Sequence, residues 1–412
     1  MCSLISTKCR MLTEAPSEIA PVAIAPTPKH VPFLDALRGL AVFVVFVYHS
    51  MGASYGWERM HGWKGLFRDF DQPRSWLLFY PITHGGVLGV ATFFVISGFC
   101  IHLSYINSRE KGWKAFFWRR LFRLYPAYLF CLLVFFFLWP WYHYSLDSAG
   151  SRANLISHLF SYHNLFLATK YGINPSFWSI AVEIQLYLAY PFLILFTLFC
   201  GWRRSILILL GLELSIRLFG SFFPEATVPH LISNSPLGFW FSWSIGAYLA
   251  ECRQRGRQHV FAWISIPLVA VLALLSSLFR PTASLDFPLF ALLAALVVDR
   301  LLLMESWSAP RQEVPALLWR HLSFLGVVSF SFYLIHQPIV DAFQATSQTM
   351  VVRWGGGPGT SPVWMFAACL FLYPLILLLS WLLYRGVEQP FIRFGQRLWR
   401  SRWLQPSQRC LR

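Results

Sequence analysis

The chain has 412 residues, of which 56% are hydrophobic and only 13% are charged. A soluble protein of this length rarely carries so little charge, so the composition indicates an integral membrane protein. The net charge is +16, but Lys and Arg stand at the ends of apolar runs rather than in one soluble patch. We therefore expect membrane lipid, and no nucleic acid, among the partners.

Residues 1–30 lack the plan of a secretory signal peptide, because no clean apolar stretch precedes a cleavage site. They are predicted to form a disordered cytosolic tail. The eight cysteines show no CxxC pair and no Cys/His ligand spacing, so we expect no metal site.

Ten apolar runs are candidates to cross a bilayer, although several are shorter than a straight span requires. They cover about 36–55, 84–104, 121–139, 178–199, 205–219, 236–250, 260–279, 285–304, 324–343 and 362–384. With both termini in the cytosol, the inside segments hold about three times as many Lys and Arg as the outside loops. The sequence thus predicts an all-α, multi-pass membrane protein.

The first predicted span carries Arg38 and His49, and a charged side chain at membrane depth usually has a partner or a function. Eleven residues turn a helix by about 1100°, so both side chains lie within roughly 20° of one face, about 16 Å apart. His49 can be a satisfied packing residue, but an imidazole can also exchange protons near neutral pH.

Two more titratable residues, Glu183 and His336, are predicted at a depth similar to that of His49, in the outer half of the bilayer. Each is either satisfied separately within the bundle or part of one shared polar cavity. Within a shared cavity, two of them meeting as an acid and a base would perturb each other's protonation.

The inner end of the third span contains Arg120 and Arg123, which are i,i+3 neighbours on a helix. They are either ordinary flanking cations or a clamp for phosphate oxygens. A ligand with phosphates near Arg38 and this pair, and with a long thin arm, would reach His49; acyl-coenzyme A has that shape. Ser97-Gly98 favours a packing notch, since a nucleophilic Ser97 needs a base that the sequence does not identify.

Six motifs in one order make the chain resemble the membrane acyltransferase-3 family, bacterial O-acyltransferases of glycans and small molecules. The motifs are LDALRG (34–39), FFVISGF (93–99), RRLFRLYP (119–126), FWSIAVEIQLYL (177–188), SFSFYLIHQP (329–338) and YRGVEQP (384–390). The resemblance covers 31–394 as one membrane domain and leaves 395–412 as a basic cytosolic tail. Some relatives carry an appended hydrolase-like domain; here we expect transfer by one protein or with a separate partner.

The resemblance implies ten core helices and a cytosolic acyl-CoA donor, acetyl-CoA in the simplest case, with no permanently bound cofactor. It implies that Arg38 and His49 are the family's essential pair and that Arg120 and Arg123 lie near the CoA. Glu183 matches an acidic position that is commonly followed by a second Glu; here that residue is Ile184. The sequence therefore has no carboxylate pair at this position.

The expected function is transfer of an acyl group from CoA to a hydroxyl of a sugar or glycoconjugate. The resemblance implies that this takes place in the plasma membrane, the inner membrane of a bacterium. His49 would be the base or the acyl carrier, and Glu183 or His336 would orient it or line the acceptor pocket. A transporter or flippase that uses the buried charges as a substrate or proton path is the alternative, and a non-catalytic lipid or CoA sensor is a third. The sequence does not fix the oligomeric state.

Overall fold

The computed structural model describes residues 31–62, 76–108, 112–141, 143–223, 227–257, 260–279, 282–306, 316–353 and 361–403. The predicted tail 1–30 and the last part of the predicted basic tail, 404–412, lie outside the described residues. Every regular element within the described ranges is helical, as the composition predicted.

The helices are labelled here in chain order, and short 3-10 turns are left unlabelled. They are α1 (Pro32–Tyr55), α2 (Trp57–Gly62), α3 (Trp76–Thr83), α4 (Gly85–Ile106), α5 (Trp113–Leu133), α6 (Ala149–Leu159), α7 (Leu167–Lys170), α8 (Phe177–Cys200), α9 (Trp202–Phe222), α10 (Thr227–Ser233), α11 (Trp240–Gln254), α12 (Ile266–Ser276), α13 (Asp286–Ser306), α14 (Ala316–Val327), α15 (Ser329–Arg353), α16 (Pro362–Phe371), α17 (Tyr373–Leu383) and α18 (Gln389–Trp403). Two π-helical segments, Val134–Leu138 and Tyr384–Glu388, extend α5 and α17.

Local sequence explains where several of these helices begin and end. Pro32 and Pro362 occupy the first helical position of α1 and α16, where the missing N–H is not needed. Ser148 and Ser265 cap α6 and α12 with their side-chain oxygens. Gly201, at a φ of 76°, ends α8 and lets the chain turn directly into α9.

Six helical segments in the described residues are long and apolar enough to span a membrane: Phe33–Tyr55, Gly85–Ile106, Trp113–Leu138, Phe177–Cys200, Trp202–Phe222 and Pro362–Ser401. The pair α14 and α15 becomes a seventh if it is counted as one span broken by a bend of 82°. Helices α11, α12 and α13 occupy the positions of the sixth, seventh and eighth predicted spans. The count of ten spans and the cytosolic termini stay predictions.

Helix α4 lies at the centre of the bundle, where it packs against α1, α11 and α13. Its most apolar window is 72% buried, whereas that of α9 is only 22% buried. Side chains on the outer helices are large, apolar and exposed, as in Leu198 (75% exposed) and Phe199 (86%). Such a surface would associate in water but is well solvated by lipid chains, so the outer helices face the membrane.

Two reciprocal glycine contacts bring the central helices together. A Cβ on Gly98 of α4 would stand 2.0 Å from the Trp243 carbonyl oxygen of α11, and one on Gly246 would stand 1.9 Å from that of Val95. Gly39 of α1 and Gly326 of α14 meet the facing backbone in the same way. Small residues allow this close approach, which is how membrane helices gain packing energy. Gly98 therefore forms the close-packing notch that was predicted at Ser97-Gly98.

Candidate functional site

The imidazoles of His49 and His336 meet in the interior of the bundle. Helix α1 is continuous from Pro32 to Tyr55, so Arg38 and His49 lie on one helix about 16 Å apart, as predicted. The Nδ1 atom of His49 lies 2.9 Å from Nε2 of His336, which comes from α15. His336 is fully buried and His49 is half-buried. The two histidines that the sequence placed at one depth thus form a direct pair.

Backbone carbonyls assign the protons of this pair. Nδ1 of His336 lies 2.9 Å from the Tyr333 carbonyl oxygen and 3.2 Å from that of Phe332. A carbonyl only accepts hydrogen bonds, so Nδ1 of His336 carries the proton and its Nε2 has a lone pair. His49 then donates its Nδ1–H to that lone pair, which leaves Nε2 of His49 unprotonated and able to accept a proton.

A polar seam between α8 and α15 positions the second histidine. The Asn174 amide donates to the Leu334 carbonyl at 2.8 Å, and Ser176 donates to the Gln337 side-chain oxygen at 2.5 Å. One turn further along α8, the hydroxyls of Ser179 and Tyr333 are 2.7 Å apart. The contact of Ser179 with Tyr333 joins the two sequence motifs that contain Glu183 and His336, and the other two contacts come from residues just before the first motif. The sequence did not show these motifs to be neighbours.

Glu183 lies near this seam, but its carboxylate has other partners. Its Oε1 accepts a hydrogen bond from the Ser97 hydroxyl at 2.7 Å and another from the Tyr187 hydroxyl. The Trp243 indole donates to Ser97 Oγ at 3.3 Å. The structure therefore brings His49 and His336 together and places Glu183 in a separate cluster on α4, α8 and α11. Its predicted role in orienting His49 stays a prediction.

The guanidinium groups of Arg38 and Arg120 contact the same face of α4. Arg38 Nη2 donates to Cys100 Sγ at 3.1 Å, and Nη1 of the same group pairs with Asp35 Oδ1 at 3.2 Å. Arg120 Nη2 donates to Ser104 Oγ at 3.2 Å. Cys100 and Ser104 are one helical turn apart, so both cations reach successive turns of the central helix.

Arg123 differs from Arg120 in its surroundings. Its side chain is exposed, and it interacts electrostatically with Glu388 in the second π-helical segment. Arg120 is instead half-buried and lies over the ring of Phe116 at 5.9 Å. The two arginines of the predicted clamp therefore face different environments, and only Arg120 approaches Arg38.

Ser97, Cys100 and Ser104 form a polar stripe on α4 that sequence reasoning did not recognise as a stripe. Their i, i+3 and i+7 spacing puts them on one helix face over about 10 Å, and they contact Glu183, Arg38 and Arg120 respectively. A periodic set of small polar residues in an otherwise apolar helix was the available signal. Tyr187 follows Glu183 by four residues, so helical spacing already placed the two polar side chains on one face of α8.

This arrangement provides two chemically distinct parts within one bundle. Near one end of α1, two guanidinium groups can bind phosphate oxygens. About three turns away, the neutral imidazole of His49 donates its Nδ1–H to His336 and has an unprotonated Nε2. A group that is bound at the first part and reacts at the second must be long and narrow.

Comparison with known proteins agrees with this interpretation. The acyltransferase-3 family model, described as an acyltransferase domain, matches residues 31–385. The peptidoglycan O-acetyltransferase OatA of Listeria monocytogenes is 23% identical over 344 residues, which are 76% of this chain and 50% of that protein. The O-acetyltransferase OatA of Staphylococcus aureus is 29% identical over 193 residues, 44% of this chain and 27% of that protein.

The putative peptidoglycan O-acetyltransferase YrhL of Bacillus subtilis is 23% identical over 343 residues, 76% of this chain and 49% of that protein. The chain thus spans about half, or less, of the length of these curated relatives. No solved structure matches the chain significantly. Because the family model covers most of the sequence, and the motifs that carry it meet in the interior of the bundle, the chain belongs to the acyltransferase-3 family.

Proposed function

We propose that this protein is a plasma-membrane O-acetyltransferase that moves an acetyl group from acetyl-CoA to a hydroxyl of a glycan, with His49 as general base. The observation that carries the proposal is the 2.9 Å contact between His49 Nδ1 and His336 Nε2. It leaves Nε2 of His49 unprotonated in a part of the bundle where a substrate hydroxyl can be desolvated. Family membership supports the reaction class.

The donor would bind with its phosphates at Arg38 and Arg120. Both guanidinium groups reach α4, and Arg38 lies on the helix face that also carries His49. The pantetheine arm of CoA would follow α1 over about 16 Å and present the thioester near His49. Arg123 is exposed at the same end of α5 and would add positive charge at the entrance. The donor enters from the cytosol in this proposal.

In the chemical step, the acceptor oxygen attacks the thioester carbonyl carbon while Nε2 of His49 takes the hydroxyl proton. The C–S bond then breaks, and the departing CoA thiolate receives that proton, which leaves an O-acetyl ester and free CoA. His336 is a positioning residue, because its Nε2 accepts the Nδ1–H of His49 throughout and stabilises the imidazolium. Base catalysis of this kind is typically worth about 10²–10⁴-fold in rate.

The acceptor class comes from the relatives. Two of the relatives named above are peptidoglycan O-acetyltransferases by name, one of them putatively, so a hydroxylated glycan at the cell envelope is the proposed acceptor. Glu183, Ser97 and Tyr187 form a hydrogen-bonding cluster that suits contact with sugar hydroxyls. Their place in the acceptor site is part of the proposal.

The test is thiol release from acetyl-CoA by the purified protein in lipid nanodiscs. Addition of peptidoglycan fragments should release free CoA and form O-acetyl product in equal amounts, as thiol titration and mass spectrometry would measure. Movement of a glycan across the membrane without CoA release would instead establish the transporter. CoA binding without release at any acceptor concentration would establish a sensor.

A further inference from the structure

A second cluster of cations surrounds a cavity away from Arg38 and Arg120. The cavity has a volume of about 250 Å³ and opens between the start of α9 and the end of α11. Four arginines and two aromatic residues are among the residues that line it: Arg203, Arg204, Arg255, Arg257, Trp202 and Tyr248. All four arginines are exposed, and each of them lines the same open concave site.

The charge of this cavity is only partly compensated. Glu251 is the one carboxylate among the described residues of the lining, and both of its oxygens are already engaged. Arg255 Nη2 lies 2.5 Å from Oε1, and His102 Nε2 lies 2.9 Å from Oε2. None of the other described residues in the lining is acidic, so within this described lining Arg204 and Arg257 have no carboxylate partner. The cavity is therefore strongly attractive to an anion.

The backbone and the aromatic wall also suit a phosphate-bearing ligand. The first amides of α9 follow Gly201 and have no side-chain cap, so they add N–H groups and the positive end of a helix dipole. The rings of Trp202 and Tyr248 are stacked at 6.2 Å with an interplanar angle of 29°. Arg203 hydrogen-bonds Tyr248, which holds one guanidinium against this wall.

A row of packed side chains lies between this cavity and the proposed donor site. His102, which holds Glu251, also lies 2.7 Å from the Tyr190 hydroxyl, and the Tyr190 ring stacks on Phe116 at 5.1 Å. Arg120 lies over the Phe116 ring at 5.9 Å. Both cation sites thus sit at the end of the bundle where α4 terminates, joined by a row of packed rings.

We propose that the cavity of Arg203, Arg204, Arg255 and Arg257 is a second phosphate-binding site, distinct from Arg38 and Arg120. A guanidinium fork matches two phosphate oxygens, and several forks around one cavity hold a dianionic phosphate better than a single charge. The phosphate is supplied either by the 3′-phosphate of CoA or by the headgroup of an anionic phospholipid. Binding of the CoA phosphate rests on the proposed function, whereas binding of a phospholipid headgroup does not.

The experiment compares three proteins purified in maltoside detergent: the parent, the cavity variant Arg204→Gln/Arg257→Gln, and the control Arg320→Gln/Arg397→Gln. The control loses the same charge from exposed arginines outside the cavity lining. Titration calorimetry measures the binding of CoA and of 3′-dephospho-CoA. Native mass spectrometry measures retained phosphatidylglycerol, and circular dichroism confirms that all three proteins are folded.

A nucleotide source predicts that the cavity variant binds CoA roughly tenfold or more weakly, with the affinity for 3′-dephospho-CoA unchanged. A lipid source predicts that the cavity variant loses retained phosphatidylglycerol while CoA binding is unchanged. The proposal is overturned if the cavity variant matches the control in both measurements. If no protein binds CoA, the proposed function fails, and the lipid measurement alone decides on the cavity.

Discussion

Two pairs of histidines in this protein differ in how their imidazole rings contact each other. His49 and His336 come from helices that are far apart in the chain, and their rings are tilted by 56° so that one nitrogen donates to the other. His158 and His163 are close in sequence and stack face to face at 3.7 Å with an interplanar angle of 6°. The first pair has a directed hydrogen bond, and the second has only ring contact.

Access separates the pairs as well. His49 is half-buried, whereas His158 and His163 are fully buried. These two residues follow the third membrane-spanning segment in the chain and precede the fourth. Burial lowers the pKa of His158 to about 4, and burial together with the neighbouring His158 imidazole lowers the pKa of His163 to about 2. Orientation and access, not residue type, therefore distinguish a candidate catalytic pair from a packing pair.

The largest expected effect comes from removing the base. His49→Ala should lower the rate of acetyl transfer by about 10²–10⁴-fold, because the acceptor hydroxyl would lose its proton acceptor. Thiol release from acetyl-CoA in the presence of acceptor measures this rate. His143→Ala removes an exposed imidazole outside the site and should keep the parent rate. Transfer by His49→Ala at the parent rate would show that this pair is not catalytic.

A smaller effect is expected from the positioning residue. His336→Leu removes the acceptor of the His49 Nδ1–H and should lower kcat by roughly 10- to 100-fold, less than loss of the base itself. His336→Gln offers an amide oxygen to the same N–H and should recover part of that loss. A purely structural role predicts that Leu, which suits a buried apolar position, is tolerated at least as well as Gln.

The smallest effect concerns the packing pair and appears as acid sensitivity. The pKa values of His158 and His163 are lower in the folded protein than in the unfolded chain, so the unfolded state binds more protons below about pH 6.5. Stability therefore falls as the pH drops through 6.5. At pH 5.5, each buried neutral histidine should cost about 1.4 kcal/mol of unfolding free energy.

His163→Phe keeps a ring in the stack but removes a proton-binding group. Denaturant unfolding at pH 7 and at pH 5.5 should show that this variant loses about 1 kcal/mol less on acidification than the parent. His143→Phe, at an exposed position, serves as the control and should leave the pH dependence unchanged. Identical losses for parent and His163→Phe would mean that the stacked pair is already protonated or open to water in the fold.

Much of the fold was predictable because its signals are local. Apolar runs gave the helical class and the approximate positions of most long helices, but not the bend of 82° between α14 and α15, which interrupts the predicted span 324–343. The spacing of Arg38 and His49 fixed their common face within one continuous helix. The depth argument correctly grouped His49 with His336. The same argument also grouped Glu183 with them, and depth alone does not say that its carboxylate faces Ser97 and Tyr187.

Sequence by itself therefore determined the membrane class, the approximate positions of most long helices and the axial distance between the candidate donor site and the candidate base. Tertiary structure alone decided which side chains meet: His49 with His336, Ser97 with Glu183, and four arginines around one cavity. The physical reason is that helical periodicity fixes a residue's direction and height on its own helix. The neighbour it faces depends on how helices pack, here through close backbone contacts at Gly39, Gly98, Gly246 and Gly326.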